Sequence, residues 1–103
     1  MLKAPTYDLD TVIAAAAAEH VTLSRNATRD ADNLDFSFSE VCVCIAGLKP
    51  GDFEKSIDYG GYVLDVYLPR VSGPGDRIDR IYVKLRTFPD RTVGQVYLAS
   101  FHL

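Results

Sequence analysis

The segment Arg80–Phe88 alternates between apolar and polar side chains, and this alternation constrains the fold more than any other feature of the chain. Its apolar side chains share one face of an extended segment: Ile81, Val83 and Leu85. The opposite face carries a phenol and two cations: Tyr82, Lys84 and Arg86. Such alternation is typical of a strand with one face on a core and the other toward solvent. The polar face can be an ordinary solvated surface, but cations and a phenol in register on a rigid sheet also suit a phosphate-bearing ligand.

Three helices are predicted in the N-terminal half. Asp8 is a suitable N-cap for a helix over Asp8–Glu19, and Ser24 for a second, short helix that reaches Leu34. Ser37 and Glu40 have the spacing of a capping box and predict a third helix.

Two segments in the middle of the chain are harder to assign. The run Val41–Ile45 is rich in β-formers and could be a buried strand, but the capping box before it and Gly47 after it favour the helix. Beyond Pro50, Phe53 and Ile57 form an i, i+4 apolar pair, which predicts a helix of one or two turns.

Strands are predicted in the C-terminal half. The pattern indicates a strand over Tyr62–Leu68, a loop over Val71–Asp79, the strand Arg80–Phe88, a short connection at Pro89–Arg91 and a last strand over Val93–His102. Three consecutive strands with short links favour an antiparallel meander. Helices followed by strands indicate an α+β fold in which the N-terminal helices pack on a C-terminal antiparallel sheet. With 103 residues, we expect one domain over residues 1–103.

Composition excludes several classes of protein. Hydrophobic residues make up 48% of the chain, but no apolar run approaches the roughly 20 residues of a membrane span. We expect no signal peptide and no membrane partner. Cys42 and Cys44 lack further cysteines or histidines at zinc-binding spacing, which favours free thiols and a cytoplasmic protein.

The charge distribution leaves room for a local anion site. A net charge of −3 and a pI near 5.2 argue against broad nucleic-acid binding, so we expect no binding to DNA by the chain itself. From Leu64 onward, however, six basic residues outnumber four acidic ones. Charge alone therefore favours the C-terminal half as the anion-binding half.

Candidate catalytic residues are lysine, arginine, tyrosine and histidine. The sequence has no phosphate-binding glycine motif, no HExxH and no GxSxG, and its carboxylates are scattered, so we expect neither a metal nor another cofactor. Cleavage of RNA through its own 2′-hydroxyl needs a base, an acid and cations that offset the charge on phosphorus, and these side chains can supply all three.

Four motifs, in order and at similar spacing, resemble the MqsR toxins. Asp52–Ile57 resembles the segment "DFxKSM", Asp65–Arg70 resembles "DVYxPR", Ile81–Leu85 resembles "xYxKx" and Ser100–His102 resembles the terminal "SFK". The resemblance runs from about Pro5 to the end of the chain. It implies a fold similar to RelE-type ribonucleases, cleavage of messenger RNA at short sequences without the ribosome, and inhibition by a cognate antitoxin protein.

The resemblance also implies roles for individual residues. The catalytic lysine of the family corresponds to Lys55 and its strand tyrosine to Tyr82. Two positions differ, because His102 stands where the family has a lysine and Leu64 where it has a glutamine. Histidine can still act as acid or base near neutral pH, so we predict a catalytic set of Lys55, Tyr82 and His102. We predict RNA contacts from four further side chains: Lys84, Arg86, Arg70 and Tyr67.

Two alternatives remain at this point. The chain could be a degenerate toxin that binds a protein without catalysis, as the acidic pI, Leu64 and His102 would allow. It could also be a RelE-like nuclease that acts only on the ribosome. On the toxin interpretation, an antitoxin could add a strand to an exposed sheet edge, for which the last strand is a candidate, or cover the basic face.

Overall fold

The computed structural model describes residues 4–72, 78–87 and 95–103. Three helices come first in the chain: α1 (Leu9–Ala17), α2 (Arg25–Asn33) and α3 (Phe38–Ala46). Strand β1 (Val21–Leu23) lies between α1 and α2, and a short 3-10 turn, Pro50–Asp52, follows α3. Within these described ranges, no helix has both the length and the hydrophobicity needed to cross a membrane.

All three predicted helices are confirmed, and each begins at a side chain that caps it. Asp8 accepts a hydrogen bond from the backbone N–H of Thr11, and Ser24 accepts one from Ala27. The capping box of α3 is complete, because Ser37 and Glu40 each accept a hydrogen bond from the other's backbone N–H. These bonds satisfy donors that a helix start otherwise leaves unpaired, and they explain why the β-rich run after Ser37 is helical.

Six strands follow in the chain: β2 (Phe53–Asp58), β3 (Val63–Tyr67), β4 (Arg70–Ser72), β5 (Ile78–Arg80), β6 (Tyr82–Thr87) and β7 (Val96–His102). The main sheet has the order β1-β7-β6-β3-β2, and β4 pairs with β5 in a separate two-stranded sheet. The helices pack against the main sheet, which confirms the predicted α+β fold. The sheet is mixed rather than antiparallel throughout, because β1 runs parallel to β7. Consequently β7 is an interior strand, and β1 and β2 form the edges.

Two local predictions were wrong. Phe53–Asp58 is the edge strand β2 and not a helix. Part of the segment predicted as a loop forms β4 and β5, so Arg80 belongs to the small sheet and the central strand begins at Tyr82. The predicted connection at residues 89–91 lies outside the described residues.

The core lies between the helices and one face of the main sheet, which we call the helix face. Along β6, Val83 and Leu85 are fully buried there, as the alternation predicted. On β7, Leu98 and Phe101 join the same core, and the ring of Phe101 meets that of Phe36 edge to face. The opposite face of the sheet, which carries Tyr82, Lys84 and Arg86, we call the outer face.

A buried carboxylate holds the N-terminal segment against the sheet. Asp65 is 0% exposed and lies on the helix face of β3. Its carboxylate accepts hydrogen bonds from the backbone N–H groups of Thr6 and Tyr7, at 3.1 and 2.9 Å, and from the hydroxyl of Ser56 at 2.5 Å. The first residue of the motif Asp65–Arg70 is therefore structural.

Candidate functional site

Two lysines of the outer face lie in one row across three strands. Lys55 on β2 and Lys84 on β6 both pair with Val66 on the strand between them, and Ser100 on β7 pairs with Lys84. Directly paired residues share a face of a sheet, so the two lysines project from the same side. Two strand spacings place their backbones about 10 Å apart. The outer face therefore carries two cations at a separation suited to an extended anion.

Tyr82 and His102 form a stacked pair on the same face. They are direct partners across β6 and β7, with ring centroids 4.9 Å apart and planes inclined by 14°. The Nδ1 atom of His102 lies 2.9 Å from the backbone oxygen of Leu103. If Nδ1–H donates to that oxygen, the neutral imidazole has its lone pair on Nε2. The exposed His102 side chain can then present a proton acceptor to a ligand beside the phenol of Tyr82.

A second stacked pair, Tyr59 and Tyr62, stands at the β2–β3 turn. Their ring centroids are 5.3 Å apart and their planes differ by 17°. The turn between them is held by the Tyr59 N–H bonded to the Tyr62 carbonyl at 2.9 Å, and by Gly60 N–H bonded to Asp58 Oδ1 at 2.7 Å. Gly60 has φ of 91°, a conformation that favours glycine.

Lys84 and Arg86 connect this second pair to the rest of the outer face. Lys84 Nζ donates to the hydroxyl of Tyr59 at 2.8 Å and lies 5.2 Å from that ring's centroid. The Arg86 guanidinium lies 5.7 Å from the centre of the Tyr62 ring. Sequence reasoning found the two cations but treated Tyr59 only as part of a turn. Two tyrosines flanking a Gly-Gly turn beside a cationic strand were the available signal.

Leu64, one of the two positions that differ from the family motifs, is a buried apolar site. Leu64 is 4% exposed and Val66 0% exposed, although the alternation along β3 puts both on the outer face. Both side chains are therefore shielded from solvent although they project from the outer face. Leu64 therefore contributes an apolar floor to this face.

Two of the predicted RNA contacts do not lie on the outer face. Tyr67 is 0% exposed on the helix face, where its ring meets that of Phe53 edge to face, so the prediction that it contacts RNA was wrong. Burial raises the pKa of Tyr67 to about 12. Arg70 is exposed on β4, opposite Arg80, and both line a groove of about 710 Å³ beside α3.

The other candidate groups are metal-ligating side chains and the two cysteine thiols. The part of the chain that the structure describes contains no cluster of three or more histidine, cysteine, aspartate or glutamate side chains suited to a metal ion. Cys42 and Cys44 are free thiols on α3, and burial raises the pKa of both, that of Cys44 to about 11. The outer face thus holds five of the seven predicted site residues: Lys55, Tyr82, Lys84, Arg86 and His102.

Residues 4–102 match the model of a protein family described as motility quorum-sensing regulator, toxin of MqsA. The match covers nearly the whole chain and includes all five predicted site residues of the outer face. A comparison with curated protein sequences found no significant match.

Proposed function

Because the chain belongs to the MqsR toxin family of toxin–antitoxin systems, we propose that it is a sequence-specific endoribonuclease that cleaves messenger RNA. The observation that carries this proposal is the stacked pair of Tyr82 and His102 on the face that also bears Lys55 and Lys84. This face offers a proton acceptor, a phenol and two cations to one extended ligand. Those groups are the requirements of metal-independent transesterification at phosphorus.

In the proposed reaction the 2′-hydroxyl of a ribose attacks the adjacent phosphorus, and the bond to the 5′-oxygen of the next nucleotide breaks. His102 takes the hydroxyl proton at Nε2 or returns a proton to the leaving oxygen. Lys55 stabilises the charge of the pentavalent state, and Tyr82 positions the phosphate or exchanges a proton. Lys84 and Arg86 bind the flanking phosphates. The products are a 2′,3′-cyclic phosphate and a 5′-hydroxyl.

We also propose that a cognate antitoxin neutralises the protein in the cytoplasm. The family description names such a partner, the antitoxin MqsA. The edges of the described main sheet are β1 and β2, and Lys55 lies on β2. A strand paired with β2 would lie beside a proposed catalytic residue, so a single contact could both bind and inhibit.

A cleavage assay in EDTA tests the nuclease proposal. Purified, antitoxin-free protein is incubated with a long unstructured RNA, and the cut ends are mapped. We expect cuts at a short recurring sequence with cyclic-phosphate ends. Replacing His102 with alanine should lower the rate by about 10²- to 10⁴-fold, the usual contribution of a general acid or base. Lys55→Ala and Tyr82→Phe should also lower it.

Lys49→Ala is the matched control, because Lys49 is an exposed lysine beside the groove near α3 and not on the outer face. Its rate should equal that of the wild type. No cuts from folded protein, with or without ribosomes, would refute the nuclease proposal, and a stable protein complex would then support the binding module. Cuts that require ribosomes would instead support the RelE-like alternative.

A further inference from the structure

We propose that Tyr59 and Tyr62 form a stacking site for one unpaired RNA base, and that Lys84 and Arg86 bind the phosphates on either side of that base. We call the two tyrosines the tyrosine platform. This inference rests on the proposed function for the identity of its ligand, since it assigns part of the RNA-binding surface. The two tyrosines lie outside the family motifs and outside the predicted catalytic set.

The platform is exposed, and hydrogen bonds hold the turn that carries it. The tyrosines are 44% and 47% exposed, which makes them two of the five exposed large hydrophobic side chains of the described residues. Their rings are nearly parallel, and the turn that carries them is fixed by two hydrogen bonds at Tyr59 and Gly60. A rigid aromatic surface loses little conformational entropy when a base stacks on it. Base–aromatic stacking is the usual way in which proteins bind single-stranded RNA.

Two cations lie beside the platform, where they can bind the phosphates of a nucleotide whose base stacks on it. Lys84 Nζ is within 2.8 Å of the Tyr59 hydroxyl, and the Arg86 guanidinium is 5.7 Å from the Tyr62 ring centre. An ammonium has three donors, so the bond to Tyr59 leaves Lys84 two for phosphate oxygens. Aromatic faces beside lysine and arginine form the stacking and electrostatic surface typical of proteins that bind single strands.

The platform is separate from the proposed catalytic pair of Tyr82 and His102. Tyr82, Lys84 and Arg86 alternate along β6, so the first and last are separated by about 13 Å along the strand. The stacked pair of Tyr82 and His102 stands at one end of this row, whereas the platform lies beside Lys84 in the middle and Arg86 at the other end. The platform would therefore bind a base near the cleaved bond and not the base of the cleaved nucleotide. It should determine affinity and sequence preference more than the rate of the chemical step.

The platform could instead serve only to cover the apolar floor formed by Leu64 and Val66. The two roles are separable by substitution. Tyr62→Leu retains an apolar cover but removes the aromatic face, whereas Tyr62→Phe retains the face and removes only the hydroxyl. Phe38→Leu is the matched control, because Phe38 is also 44% exposed but lies on α3.

The experiment measures binding without cleavage. The probe is a single-stranded oligouridylate of about eight nucleotides that is 2′-O-methylated throughout and carries one 2-aminopurine, whose fluorescence is quenched on stacking; uracils stack weakly, so the free probe stays bright. We expect quenching by the wild type at some position of the fluorescent base, and a dissociation constant raised about 10- to 100-fold in Tyr62→Leu. Tyr62→Phe and Phe38→Leu should bind like the wild type.

A change in the RNA makes the test independent of protein folding. Replacing the quenched base by an abasic site should weaken binding to the wild type by the same factor, and should weaken binding to Tyr62→Leu no further. Equal binding by Tyr62→Leu and wild type, or absence of quenching at every position, would overturn the platform. RNA that is cut without quenching would overturn the platform alone. Quenching by a protein that does not cut would support the platform and overturn the nuclease.

Discussion

Replacing Asp65 with asparagine should destabilise the protein without altering the outer face. The carboxylate is fully buried and accepts three hydrogen bonds, two at Oδ1 from Thr6 and Ser56 and one at Oδ2 from Tyr7. Asparagine has the same shape but only one acceptor oxygen. In either orientation its NH₂ group faces a backbone N–H, which leaves that donor without a partner.

The size of the effect follows from these contacts. A hydrogen bond to a charged group contributes about 1.5–3 kcal/mol, and an unpaired buried donor costs about 1–3 kcal/mol. The Tyr7 N–H is only partly buried and Thr6 is exposed, so water can replace part of the loss. We therefore expect the free energy of unfolding to fall by about 2 kcal/mol.

Urea denaturation followed by circular dichroism measures this change, with an unaltered m-value showing that the transition remains comparable. Asp32→Asn, on the exposed surface of α2, is the control and should change stability by less than about 0.5 kcal/mol. If Asp65→Asn is no less stable than this control, the role given to the buried carboxylate is refuted. A folded Asp65→Asn protein should bind the RNA probe like the wild type.

Three further predictions concern burial and backbone conformation. Burial raises the pKa of Tyr67 to about 12, whereas an unfolded tyrosine ionises near 10. The free energy of unfolding of the wild type should therefore fall as the pH rises from about 10 to about 12. In urea titrations at pH 9 and 11, the free energy of unfolding of Tyr67→Phe should fall less than that of the wild type. The Cys44 thiol, with a pKa of about 11, should react with iodoacetamide on the order of 100-fold more slowly than an exposed cysteine at pH 8; equal labelling of the native and urea-unfolded protein would contradict this. Gly60→Ala should cost about 1 kcal/mol in thermal unfolding because φ is 91°, whereas Gly61→Ala, with open space around its Cβ, should cost less.

The sequence predicted the elements whose signals are local. Capping side chains lie within three residues of the backbone donors that they bind, so Asp8, Ser24 and Ser37 marked three helix starts correctly. The alternation along β6 likewise identified Val83 and Leu85 as core residues.

The error at β2 has a specific cause. Phe53 pairs with Tyr67 on the helix face, whereas Ile57 pairs with Leu64 on the outer face. A bulge between Phe53 and Lys55 inserts one residue and reverses the alternation. The two apolar residues consequently look like neighbours on a helix although they point to opposite sides of a sheet. A bulge depends on pairing with another strand, so it leaves no periodic pattern in the sequence.

The candidate site was only partly predictable for a related reason. The alternation of β6 by itself placed Tyr82 and Lys84 on one face. Their neighbours come from other strands, and the register of those strands cannot be read from the local sequence. Stacking of Tyr82 on His102 requires the β6–β7 register, and contact between Lys84 and Tyr59 requires the β2–β3 turn to reach over β6. The prediction that Tyr67 contacts RNA was wrong because Tyr67 lies on the same face of β3 as the buried Asp65.

The pairing of β1 with β7 has a kinetic consequence. The hydroxyl of Ser24, which follows β1, donates a hydrogen bond to the carbonyl of Ala99, 75 residues further along the chain. The carboxylate of Asp30 accepts one from the N–H of Phe101, 71 residues away. Closing a loop of this length costs about 4 kcal/mol of chain entropy before any contact compensates for it. The helices can form within microseconds, whereas the edge strand must wait for a distant partner. Refolding should therefore show helical circular dichroism before β1 amides gain protection from hydrogen exchange, and during that interval β7 is an unpaired edge through which two chains could associate.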